Sequence, residues 1–207
     1  MEYEPPDGPV VIGIDPDTSC VGIAAVSMSD GNLVGVRAVK SKGSLKGAAK
    51  VVATIDKCRG CLVEFVKEMG NPPVSAILVE DQTVAYTAAK GINPGKILGL
   101  SQVAGALVSE GCYETHTALV QPSTWKGSVP KQIHQNRILS KFGVVAEPVG
   151  SAQNSGYSRP KDPNEKWGDV VGVDSLSKSD WKHVVDAIGI AVYGRDYILE
   201  EIRKAEE

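Results

Sequence analysis

Long apolar runs are missing from this sequence, and no stretch is apolar for the roughly 20 residues that a membrane-spanning helix needs. Residues 1–8 lack a basic segment followed by an apolar core and are acidic and proline-rich instead. That start does not read as a secretory signal, so the expected location is cytoplasmic. An excess of positive charge is also absent: 22 Lys and Arg stand against 25 Asp and Glu, a formal net charge of −3. A negative total argues against unselective binding of polyanions but leaves room for a local basic patch. Cysteine is scarce, with Cys20, Cys58, Cys61 and Cys112. Cys58-Arg-Gly-Cys61 has the spacing of half a zinc site, yet no second pair and no following His pair completes it. In the cytosol these side chains are expected to be thiols.

What remains is ordinary globular material. Hydrophobic content of 42% and charged content of 23% exclude disorder of the whole, and 207 residues suffice for one domain with a real core. The expected organisation is a single domain over 1–207 with a flexible tail at 1–8 and a polar loop insertion at about 147–179. That insertion is rich in Gly, Pro, Ser and Asn, and loops of such length are usually functional or mobile.

Apolar periodicity orders the rest. Residues 10–14 and 20–27 are two β-rich runs joined by Asp15-Pro16-Asp17-Thr18-Ser19, the pattern of a hairpin. The first run lacks polar alternation, so it is expected to be buried on both faces of a helix-covered sheet. Asp30-Gly31-Asn32 is a turn, and 33–39 continues the meander. Residues 48–69 carry apolar positions at helical spacing and stop at Gly70-Asn71-Pro72-Pro73. A buried strand over 74–79 runs into Glu80. Residues 95–109 read as a helix dense in small residues, which suits tight packing on the sheet or a contact between two helices. A short strand at 117–121 and a helix at 130–142 follow. The last helix starts near Ser179 or Asp180, either of which could cap it.

Two central strands thus end in carboxylates, Asp15 and Glu80, and His183 and Asp186 lie one turn apart on one face of the last helix. An aspartate among Val, Val, Ala and Ile is costly to bury unless it is paired, hydrogen-bonded or on a metal. Three carboxylates and one imidazole form a hard, oxygen-rich donor set of the kind that Mg2+ prefers. Phosphodiester hydrolysis is the chemistry that needs such a set. Between residues 115 and 146 there are basic residues, Lys126, Lys131, Arg137 and Lys141 among them, and no acidic ones. Against a net-negative chain that is a local basic surface suited to phosphate. Lys40, Lys42, Lys46 and Lys50 form a second basic stretch that reads as a solvated loop or a phosphate-contacting edge.

Gly13-Ile14-Asp15-Pro16 with Thr18 and Gly22, then Val79-Glu80, then His183-Val184-Val185-Asp186-Ala187-Ile188-Gly189-Ile190-Ala191, resembles the RuvC-type Holliday junction resolvases in order along nearly the whole chain. The resemblance implies an α/β, ribonuclease H-like fold: a mixed five-stranded sheet, three antiparallel then two parallel strands, flanked by helices. It implies a homodimer that resolves branched DNA, most of all four-way junctions, with Mg2+ or Mn2+. Asp15, Glu80, His183 and Asp186 are then the catalytic metal ligands. Lys126 and Lys131 fall where the family turns basic residues toward DNA, and Tyr86 where it carries an aromatic that stacks at the junction centre. The helix at 95–109 becomes the candidate contact between subunits. Two departures stand out. Asp17 replaces a usual glycine and reads as a turn residue or a supporting acceptor, and the insertion lengthens the chain.

Other classes share parts of this pattern. A nuclease of the same fold could act on flaps or RNA–DNA hybrids, and a non-catalytic relative could only bind nucleic acid. The turn from Asp15 to Gly22 also fits the first phosphate loop of sugar kinases and actin-like ATPases, with Val171-Gly172-Val173-Asp174-Ser175 as a second copy. Those proteins need two such domains, and too little chain follows Asp174 to build one.

Overall fold

Val, Ile and Gly dominate residues 10–39, and they build an antiparallel meander of β1 (Val10–Asp15), β2 (Cys20–Ser27) and β3 (Leu33–Lys40). The computed structural model describes residues 5–41, 43–81, 94–110, 115–150 and 156–207. At the β2–β3 turn Asp30 Oδ1 accepts the Asn32 N–H at 3.0 Å, and Gly31 takes φ +77°. Helix α1 (Gly47–Glu68) then crosses one face of the sheet. Gly70 and Asn71 end it in the left-handed region at φ +82° and +57°. Strand β4 (Val74–Glu80) lies parallel to β1, α2 (Pro94–Glu110) follows, and β5 (His116–Val120) lies parallel to β4. The sheet order β3-β2-β1-β4-β5 is the mixed topology expected from the resemblance.

Every residue of β1 and β2 is buried, so both faces are covered. On one face Ile12, Ile14, Val21 and Ile23 pack with Phe65 and Met69 beside α1 and with Val103 and Leu107 of α2. On the other, Val11, Ala24, Val36 and Leu78 pack under Val184, Ile188 and Ala191 of α6 (Trp181–Glu206). Each of the larger of these side chains, from Val to Phe, stabilises the fold by about 1.5–3 kcal/mol. Two glycines let α6 lie directly on the strands. A Cβ at Gly13 would come within 2.2 Å of the Ala187 carbonyl oxygen, and one at Gly22 within 2.3 Å of the His183 carbonyl oxygen. The sequence motif therefore has a steric cause: glycine on β1 and β2 sets the depth at which the helix bearing His183 and Asp186 docks.

After β5 come the short α3 (Pro122–Trp125) and α4 (Lys131–Lys141). The stretch read from sequence as a polar loop, about 147–179, is largely built into the domain. Its start pairs β6 (Ala146–Val149) with β7 (Tyr157–Pro160) in a hairpin against α4. Next, α5 (Pro163–Trp167) stacks Trp167 on Trp181, with centroids 5.8 Å apart. Val171 then forms a parallel bridge to β3: Val36 N–H donates to the Val171 carbonyl at 2.8 Å, and Val171 N–H to the Val34 carbonyl at 3.1 Å. Two buried tryptophans and Val173 outweigh the polar composition that suggested a loop.

Asp180 does not cap α6 with its side chain, contrary to one reading of the sequence. Its carboxylate instead accepts the Ser177 N–H at 2.8 Å and meets Lys40 at 2.9 Å. Cys20, Cys58 and Cys61 are free. Burial pushes the Cys58 thiol up to about 12 and Cys20 up to about 11, so neither is a nucleophile at neutral pH. Cys112 lies outside the described residues. Among the described residues no helix is long and apolar enough to cross a membrane.

Candidate active site

The parallel register of β1 and β4 pairs Ile14 with Val79, so Asp15 and Glu80 emerge side by side at the ends of adjacent strands. α6 crosses above, and its first turns bring His183 and Asp186 to the same place. His183 Nδ1 lies 2.8 Å from Asp15 Oδ2. The four side chains expected from sequence to act together are all buried, between 2% and 7% exposed. Burial at strand ends and under a helix is what makes their charge expensive.

Two lysines reach into this cluster. Lys126, just after α3, places Nζ 3.0 Å from Glu80 Oε1, and its ammonium also lies over the Trp125 ring. Lys131, opening α4, pairs with Asp186 Oδ2. Of the basic stretch expected from sequence to face phosphate, the first two members pair with the acids in this structure. Arg137 stays exposed on α4. Lys141, about 15 Å along the helix from Lys131 at 1.5 Å per residue, pairs with Asp196 of α6 at 3.1 Å and does not approach the cluster. Tyr86 lies outside the described residues. Asp17 is a turn residue: its Oδ1 accepts the Ser19 N–H at 2.7 Å and the Ser19 hydroxyl at 2.6 Å.

One participant was not foreseen. Gln135, fully buried on α4, donates from Nε2 to Asp186 Oδ1 at 2.8 Å and to the Lys182 carbonyl at 3.0 Å. A neutral amide four residues past a lysine carries no charge signal in the sequence, though the i,i+4 spacing places it on the face of Lys131.

Three buried carboxylates thus face two ammonium groups, leaving one negative charge uncompensated. Burial, then the Asp186 charge, pushes Asp15 up to about 7. Burial, then the Asp15 charge, pushes Glu80 up to about 8, with Lys126 opposing. Burial alone would lower Lys131, but Asp186, Asp15 and Glu80 outweigh it and hold its ammonium above the usual lysine range. Burial pushes His183 down to about 4, so its imidazole is neutral at pH 7 and able to ligate.

Among the described residues, no three His, Cys, Asp or Glu side chains are gathered as a ready-made metal centre. The lysines hold two of the carboxylates in this arrangement. The donor chemistry nevertheless fits a hard divalent cation. Burial holds Asp15 and Glu80 partly protonated near neutral pH, which a bound cation would reverse, and among the described residues the buried His183 Nε2 has no hydrogen-bond partner.

The sheet order, with α6 crossing β1 and β2, is that of a ribonuclease H-like fold. Among solved structures it is similar to Thermus thermophilus RuvC, at 17% identity and a TM-score of 0.56, covering 93% of this chain and 96% of that one. Thermus thermophilus RuvC in complex with a Holliday junction substrate aligns over the same shares at 17% identity and a TM-score of 0.52. The yeast mitochondrial Holliday junction resolvase Ydc2 covers 100% of this chain at 11% identity, with a TM-score of 0.45. No protein-family model and no curated protein matches the sequence. The second phosphate-loop candidate of the ATPase reading, residues 171–175, forms the edge bridge and a 3-10 turn, not a strand–turn–strand loop.

Proposed function

We propose that this protein is a structure-selective endodeoxyribonuclease that cleaves branched DNA, four-way junctions above all, by metal-dependent phosphodiester hydrolysis. The observation that carries the reading is the buried cluster of Asp15, Glu80 and Asp186, which lacks one positive charge and has neutral His183 beside it. Asp15, Glu80, His183 and Asp186 would hold Mg2+, with Mn2+ as a substitute. Bound there, two such ions would supply Lewis-acid stabilisation of the leaving 3′-oxygen and a water of lowered pKa. The chain's own groups do the rest. Asp15 fixes the His183 ring through Nδ1, which leaves Nε2 as the ligand. Lys126 and Lys131 keep the carboxylates ionisable and, once released from them, would meet the scissile phosphate.

The shared fold with a RuvC solved on a Holliday junction supports branched DNA as the substrate class. A homodimer belongs to the proposal because a junction presents two symmetry-related strands, which a two-fold pair of sites can match. The small residues of α2 divide accordingly. A Cβ at Gly99 would meet Val51 of α1 at 3.2 Å, whereas one at Gly105 meets nothing within 4 Å, and Leu98 is 61% exposed. The test is cleavage of a panel of four-way, flap, single-stranded and RNA–DNA hybrid substrates with Mg2+ or Mn2+. Paired nicks on opposite strands of the junction are expected. Preferential cleavage of flaps or hybrids would move the assignment to another nuclease class on this fold.

A further inference from the structure

We infer that Gln135 is a positioning residue for Asp186, and that the β6–β7 hairpin sets its orientation. The inference rests on the metal-site reading above. The amide group of Gln135 is fully committed. Both Nε2 hydrogens are used, toward Asp186 Oδ1 at 2.8 Å and the Lys182 carbonyl at 3.0 Å, while Oε1 accepts the Ser158 N–H of β7 at 2.7 Å. The reverse orientation would set Oε1 against a carboxylate and a carbonyl and aim the NH2 at an N–H, so only one orientation is compatible with the partners. Gln135 and Ser158 are each fully buried, so water cannot replace a lost bond without rearrangement.

The consequence for Asp186 follows from its other oxygen. Oδ2 belongs to Lys131, and Oδ1 to Gln135, so two donors from one helix fix the plane of the carboxylate. A cation that displaces the Lys131 ammonium leaves Gln135 as the donor that still orients Asp186. β7 is clamped to α4 a second time where the Ser158 hydroxyl donates to the Gln132 carbonyl at 3.4 Å. The hairpin that opens the insertion therefore reaches the catalytic cluster through one amide.

Outer donors of this kind typically change metal affinity or activity by roughly 10–100-fold when removed. The experiment compares the whole wild-type chain with Gln135→Met, which keeps volume and loses all three bonds, and Gln135→Glu, which keeps the Ser158 bond and sets oxygen against Asp186. Ser158→Pro deletes the N–H that orients the amide. Mn2+ binding is measured by calorimetry, together with kcat and KM on a four-way junction and the thermal midpoint. Expected are a roughly 10–100-fold weaker Mn2+ affinity and a lower kcat with unchanged KM in both Gln135 variants, with Ser158→Pro shifting in the same direction but less. A purely structural role would lower the midpoint while leaving Mn2+ affinity per folded molecule at the wild-type value, and that result in either Gln135 variant overturns the inference. Wild-type affinity in Ser158→Pro overturns the hairpin's part in it. If wild-type protein binds no Mn2+, or Asp186→Asn binds it equally well, the reading of the site itself fails and this inference with it.

Discussion

Replacing Glu80 by glutamine removes one negative charge from a pocket that has one too many, and the folded protein without metal should become more stable for it. Glu80 rises from 4.5 to about 8 on folding and Asp15 from 3.8 to about 7. A raised carboxylate costs nothing below its unfolded value, where both states are protonated. The cost grows as pH climbs toward the folded value and is then constant. His183 acts oppositely, being lowered from 6.5 to about 4, so its stabilisation is lost as pH falls from 6.5 toward 4. The clean window is pH 6.5–8, where His183 is silent. There the two carboxyls should destabilise the metal-free wild type by roughly 2 kcal/mol at about 1.4 kcal/mol per unit. That is a fall of about 4–8 °C in thermal midpoint for a chain of this size. Glu80→Gln should remove more than half of that slope and raise the midpoint at pH 8, the loss of the Lys126 partner notwithstanding. Added Mg2+ should rescue the wild type at pH 8 and not the variant. Scanning calorimetry in chelator at pH 6.5 and 8 provides the measurement. A wild-type midpoint that is flat across the window, or a variant that is less stable at both pH values, would falsify the charge argument.

Three further outcomes follow from the same geometry. Asp15→Asn, Glu80→Gln and Asp186→Asn should each abolish junction cleavage in a gel assay while junction binding by mobility shift survives; a wild-type rate for Glu80→Gln removes that residue from the site. His183→Asp should retain more cleavage than His183→Ala because a carboxylate can replace the ligand, and equal, complete loss in both would argue for a proton-transfer role instead. Lys126 and Lys131 lie on the acids, so replacing both with methionine should lower cleavage at least tenfold while leaving the salt slope of DNA binding in chelator unchanged; a loss of about two units of slope with normal cleavage would put them on the phosphate backbone.

The sheet was legible because its central strands are unbroken β-branched runs and the turn chemistry between them is explicit at Asp30-Gly31-Asn32 and Gly70-Asn71. That Asp15, Glu80, His183 and Asp186 gather in one place was legible because each breaks an apolar pattern at a strand end or on a buried helical face. What the lysines do was not. Lys126 and Lys131 sit in a stretch without acids, and the carboxylates that neutralise them lie 46 and 55 residues away in sequence. Gln135 left no trace because an uncharged amide on a helix is ordinary until its burial is known. The insertion was misjudged as loop because its glycines, prolines and serines outnumber the few side chains, Trp167 and Val173 foremost, that tie it down.

The bridge from Val171 to β3 has a consequence for how this protein behaves at high concentration. An eight-residue outer strand whose first four residues are apolar or glycine, with bare N–H and C=O groups, is a template on which another chain can add a strand. Residues 170–172 occupy that position, and Gly172 at φ +85° turns the chain away so closely that a Cβ there would strike the Val36 carbonyl oxygen at 2.1 Å. The same insertion that reaches Asp186 through Gln135 at one end thus covers the middle of this sheet edge at the other. Trimming it to a shorter loop would expose a sticky edge, and the first symptom would be insolubility during refolding, ahead of any loss of chemistry.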